Sequence, residues 1–142
     1  MAPKEIAISS RFRFIQLKYL HMAFRTLIFI HRAHPSYSPK CPGCPCLRGN
    51  FYHTTWDCPV LKRFWSKLGG VVCRVLGRQV VLNPNEALLG ITFELGGSRG
   101  DRTFIGMATM VAKRDIAKHW MSSLPPMVSE WKSGMDLASK LE

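Results

Sequence analysis

The stretch CPGCPCLRGNFYHTTWDCPVLKRFW, Cys41 to Trp65, holds four of the chain's five cysteines and one of its five histidines, and runs from them into an apolar stripe. A structural zinc site takes four nitrogen or sulfur ligands in a tetrahedron, usually a close Cys pair on a tight turn and a second pair some residues later. Cys41-x2-Cys44 and His53-x4-Cys58 have that arrangement. Gly43 inside the first pair permits the turn that directs backbone N–H groups at the thiolates. Pro59 suits the first position of a helix, where its missing N–H costs nothing. Cys58 therefore precedes a helix N-terminus, whose partial positive charge favours a thiolate. The expected fold is mainly α, a small helical domain with an embedded CCHC zinc knuckle-like loop around Zn2+.

Other residues compete for the metal. Cys46 lies one residue past the first pair and is an alternative to Cys44, but Pro45 stiffens the link and a single intervening residue does not make the usual knuckle. His31-x2-His34 is a second candidate pair, read instead as solvated or phosphate-contacting because it ends a helix before a proline connector. His21 and His119 stand alone in helical patterns, and Cys73 reads as a buried thiol. CPGC also has the form of a redox dithiol, without the βαβ setting that such motifs occupy.

Around this stretch the charge is uneven. The net charge is +11, and residues 1–80 carry all of it, with 13 Lys and Arg against Glu5 and Asp57, while residues 81–142 hold seven of each sign. A basic half that contains the Cys/His cluster is the electrostatic footprint of a polyanion-binding surface. The odd cysteine count and the crowding of Cys41, Cys44 and Cys46 argue against a secreted disulfide framework, so an intracellular location is expected, cytoplasmic or nuclear. No apolar run is long enough to span a bilayer, so a soluble chain with no membrane partner is expected.

Periodicity divides the chain into a basic N-terminal helical segment, 1–38, the zinc-binding loop with its following helix, 39–80, and a C-terminal helical segment, 81–142, expected to form one compact unit. Ser9 or Ser10 caps a first helix with Phe14, Leu17, Leu20 and Phe24 as its buried face, and Leu27, Ile28 and Ile30 mark a second. The stripe Leu61, Phe64, Trp65, Leu68, Val72, Val75 and Leu76 gives a third, with a bend expected at Gly69–Gly70. Asn83, Pro84 and Gly90 bracket a short helix. Asp101 caps the next, with Phe104, Met107 or Ala108, Val111 and Trp120 inward and Lys113, Arg114 and Lys118 outward. Val128, Trp131, Met135, Ala138 and Leu141 line a last one. ELGGSRGD lacks the spacing of a phosphate cradle and reads as a connector.

In order along the chain, RFRFIQLKYLH, SPKCPGC, FYHTTWDCPVLKRFW, ALLGI, AKRDIAKHW and PPMVSEW together resemble the extreme C-terminal, zinc-binding region of the reverse-transcriptase polyprotein of LINE-type, non-LTR retrotransposons. The resemblance runs from about Arg11 to Trp131. It implies that Cys41, Cys44, His53 and Cys58 are the zinc ligands, that Trp56, Phe64 and Trp65 are their aromatic surroundings, and that the partner is RNA. Cys46 is an addition to that pattern. The endonuclease and polymerase that precede this region in the family are not in the chain, and its nine acids are scattered, with no adjacent pair to hold two metals. No enzymatic activity and no small-molecule substrate are expected.

The functional expectation is a zinc-dependent module for RNA or single-stranded nucleic acid. Arg11, Arg13, Lys18, Arg25, Lys40, Arg48, Lys62, Arg63 and Lys67 are the phosphate-contact candidates, and Phe51, Tyr52 and Trp56 the candidate stacking surfaces, with packing around the zinc as the other role for these rings. The competing expectation is a structural or protein-interaction fragment, or a fossil reading frame. In it zinc only stabilises the fold, and the Trp120 and Trp131 helices dock on the upstream polymerase body of the parent element.

Overall fold

The computed structural model describes residues 10–20, 26–45, 49–90, 95–119 and 124–140. Six α-helices follow in order: α1 Ser10–Leu20, α2 Leu27–Ala33, α3 Pro59–Leu76, α4 Pro84–Leu89, α5 Arg99–Lys118 and α6 Val128–Lys140, with a π-helical turn, His53–Asp57, directly before α3. There is no strand among the described residues, so the mainly α expectation holds.

Helix α5 is the centre. Its residues Ile105 to Lys113 are all buried, because α1, α3, α4 and α6 pack around it. Helix α6 crosses it closely at Gly134, where a Cβ would lie 2.6 Å from Arg114 Nη2 and 2.7 Å from Val111 Cγ1. Beside that crossing Trp131 is buried and its indole N–H donates to the Ala108 carbonyl at 2.9 Å. Val128 and Met135 pack on the same side as expected, whereas the Ala138 side chain and Leu141 lie outside the described residues.

The helix signals at α3 and α4 hold. Pro59 opens α3, and Gly77 at φ 70° closes it. The expected bend does not occur: α3 is one helix of 18 residues, because the buried row Leu61, Phe64, Trp65, Leu68 and Val72 continues past both glycines. Asn83 and Glu86 form a reciprocal capping box on α4, and Gly90 at φ 74° ends it. At α5 the cap is Ser98 rather than Asp101, which sits three residues inside and returns its carboxylate to the Ser98 N–H.

Two expected faces are corrected. On α1, Phe14 and Leu17 are 59% and 53% exposed, while Tyr19 is fully buried. The Leu20 side chain and Phe24 lie outside the described residues. The helix is turned by polar anchors, with the Tyr19 hydroxyl donating to the Lys113 carbonyl at 3.3 Å and Gln16 accepting from the Lys113 ammonium. On α5, Lys113 is not outward but fully buried, donating also to the Leu88 carbonyl at 3.2 Å. Arg114 is nearly buried too, beside Asp115 at 3.3 Å, so only Lys118 of the three basic residues is exposed. Trp120 lies outside the described residues.

Candidate metal centre

Two short segments bring four ligand atoms together. The first is residues 39–45, whose Pro39 carbonyl accepts from the Gly49 N–H at 2.7 Å. Within it the chain bends through Pro42–Pro45, and the Gly43 N–H is directed at the Cys41 sulfur. The second is the turn leading into α3. Asn50 caps it, its side-chain oxygen accepting from the His53 N–H at 2.8 Å and its carbonyl from the Thr54 N–H at 3.0 Å.

The turn then widens, with the Cys58 N–H bonding to the His53 carbonyl at 2.9 Å, an i→i+5 bond. In an α-helix a residue five positions on would lie about 140° around the axis. The wider turn returns Cys58 to the His53 side, so the x4 spacing between the two ligands depends on π geometry. Trp65 from α3 holds the turn, its indole N–H donating to the Thr55 carbonyl at 3.0 Å.

The ligand atoms of Cys41, Cys44, His53 and Cys58 all lie within 4.8 Å of one another. Cys41 Sγ and Cys58 Sγ are 3.8 Å apart, and Cys44 Sγ and His53 Nε2 are 3.2 Å apart. A tetrahedral zinc with bonds of about 2.3 Å to sulfur requires sulfur–sulfur edges of about 3.8 Å, which the Cys41–Cys58 pair meets. His53 and Cys58 are buried and Cys41 and Cys44 half-buried, so the second pair forms the floor and the first the solvent side. Burial pushes the Cys41 thiol up to about 12; the Gly43 N–H opposes this, and the neighbouring Cys44 and Cys58 sulfurs add to it. A cation at the site reverses the local electrostatics for the Cys41 thiol. The four residues can hold a metal ion, and the donor set of three thiolates and one imidazole suits zinc.

The competing ligands within the described residues do not converge. Among the described residues this is the one such cluster of histidine, cysteine and carboxylate groups. His31 Nδ1 is bonded to the Tyr37 carbonyl at 2.6 Å, and the His34 ring meets Tyr37 edge-on. Cys73 lies apart, its sulfur accepting from the Val80 N–H at 3.3 Å. No disulfide joins the described cysteines. Cys46 and His21 lie outside the described residues, and His119 bonds Glu130 at 2.9 Å.

The aromatic candidates divide. Phe51 meets the Tyr19 ring edge-on at 5.7 Å and packs on the core, whereas Tyr52 is 49% exposed. Trp56 lies against Trp65, centroids 5.2 Å apart, and remains partly open to solvent. Of the basic candidates, Lys40, Lys62, Arg63 and Lys67 are exposed, with Lys62 paired to Asp57 at 3.2 Å. The Lys18 ammonium lies 4.8 Å from the Phe14 ring centre. Arg11 and Arg13 are on α1 with side chains outside the described residues, where Arg25 and Arg48 also lie.

Sequence reasoning missed Arg74. It is exposed and continues Arg63, Lys67 and Gly70 at i+4, i+7 and i+11 along the outer side of α3. No helix of the described residues is long and apolar enough to cross a membrane. No family model matches the chain.

Proposed function

We propose that the Cys41, Cys44, His53 and Cys58 site holds zinc and that the domain binds RNA or single-stranded nucleic acid. In this reading it is a module of the kind found at the C-terminus of LINE-type reverse-transcriptase polyproteins and has no polymerase, nuclease or thiol-disulfide activity of its own. The observation that carries it is the continuity of site and charge. Cys58, a ligand, caps the helix whose outer side presents Lys62, Arg63, Lys67 and Arg74, so the metal fixes the direction of a basic row. Each phosphate that such a row neutralises releases condensed counterions. The competing protein-interaction reading has the Trp120 and Trp131 helices as docking elements; Trp131 itself is 2% exposed with its indole N–H bonded inside the domain, so it would act by holding α6 and not by contact.

Metal analysis of purified protein should give about one zinc per chain. Binding to a short oligouridylate should weaken with salt, with a slope of roughly 0.7 in log affinity per phosphate contact. Replacing Arg63, Lys67 and Arg74 with alanine should make that slope shallower by up to about 2. Replacing Lys118 and Lys132, which are exposed on α5 and α6, should change it little. Equal losses in both variants, or binding indifferent to salt, would refute nucleic-acid binding by α3.

A further inference from the structure

Alongside α3 runs an open groove of about 630 Å³, bounded on its other side by residues 79–82. That volume is within the range of sites that hold small organic groups, roughly 300–1,000 Å³. Three features make it more than a gap in the surface.

The first is aromatic. Trp56 and Trp65 both line the groove; Trp65 is buried and anchored through Thr55, so it backs the partly exposed Trp56 as a rigid plate. The second is the pair Gly69–Gly70, which also lines it. Both lie inside a regular helix, and a Cβ added at either would meet nothing within 4 Å. Neither a turn nor close packing requires glycine there, yet each weakens the helix relative to alanine. What the missing side chains provide is an open groove wall. The third is charge: Lys62 and Arg74 both line the groove and are exposed, and they lie twelve positions apart on the helix, about 18 Å along the axis. Asp57 pairs with Lys62 in a solvent-exposed contact that a phosphate can displace.

We propose that this groove receives one unpaired base of a single-stranded nucleic acid, stacked on Trp56 along the bare Gly69–Gly70 wall, with phosphates farther along the strand on either side of that base at Lys62 and Arg74. An aromatic plate between cations suits a base with its backbone and not a duplex, whose bases stay stacked on one another. The proposal rests on the nucleic-acid reading above and adds the place and manner of base contact.

The test compares the metal-loaded full chain binding a short oligouridylate and the same oligomer with its bases removed, by fluorescence anisotropy at one low salt concentration. Stacking of one base should make the wild type prefer the base-bearing oligomer by roughly five- to hundred-fold. Gly69→Leu, which fills the groove, and Trp56→Ala should abolish that preference and leave the affinity for the abasic oligomer unchanged. Gly69→Leu should also raise the melting temperature, since leucine favours helix, so its loss of binding is not unfolding. If the wild type binds both oligomers equally, or Gly69→Leu keeps the preference, the groove is overturned while phosphate binding by α3 stands. If the wild type binds neither oligomer, both readings fall.

Discussion

Replacing Lys113 with methionine should remove a specific pH dependence of stability. Lys113 is fully buried under the Tyr19 ring, its ammonium 5.6 Å from the ring centre, and bonded to Gln16 and the Leu88 carbonyl. Burial lowers its pKa from 10.5 to about 7. Between those values the unfolded chain binds a proton that the folded chain has released, so stability must rise with pH. The cost of the buried amine is fully present below pH 7, where both states are protonated, and is gone above about 10.5, where both are neutral. From pH 7 to 9 the gain is roughly 2 kcal/mol, at up to 1.36 kcal/mol per pH unit.

For a chain of this size that corresponds to roughly 5–9 °C in melting temperature. Methionine keeps the length and apolar stem of lysine and has no proton to exchange. Its absolute stability includes the loss of two bonded acceptors, but its profile relative to wild type does not depend on that offset. Urea unfolding of both proteins at pH 7, 8 and 9, saturated with zinc and followed by circular dichroism, measures the difference. Thiolate and metal contributions are common to both and cancel. Parallel profiles, or a wild type that loses ground to Lys113→Met as pH rises, would refute a buried amine with a lowered pKa.

Two further outcomes follow from the site. Cys41→Ser, Cys44→Ser, His53→Ala and Cys58→Ser should each release the metal, and Cys46→Ser and Cys73→Ser should retain it, as read by metal content after dialysis. Structural zinc contributes on the order of 10 kcal/mol to small domains, so chelation should also lower the helical circular dichroism. Asp57→Asn removes the exposed partner of Lys62 and should raise affinity for oligouridylate several-fold at low salt, with the difference vanishing at high salt. A variant that binds no better at low salt would place Lys62 outside the contact surface.

The Cys/His cluster was legible because it is local. A Cys-x2-Cys turn with its glycine and a cysteine before a helix-opening proline state their chemistry within a few residues, and so do the Asn83, Pro84 and Gly90 signals around α4. What could not be read depends on partners far along the chain. Hydrophobic spacing put Phe14 and Leu17 inward, but α1 is turned by Gln16 and Tyr19, whose bonds go to Lys113, 94 residues from Tyr19. Lys113 read as a solvated face because lysine in a helical pattern usually is one, and only the acceptors on α1 and α4 make its burial tolerable. The π turn left no mark, since the sequence records the number of residues between His53 and Cys58 and not the angle through which they turn.

The same contrast between near and distant contacts orders the chain in time. All four residues of the Cys/His cluster exist once residue 58 has been made, and the loops between them are short, so closing them costs little entropy. Helix α1 packs instead on α4 and α5, and Tyr19 has Phe51 beside it but lacks its Lys113 partner until residue 113 is synthesised. At roughly 5–20 residues per second on the ribosome, that interval is about 5–20 s. From residue 58 onward the first helix still lacks its α5 contacts while the Cys/His loop can already close, so the N-terminal element is among the last to find its place.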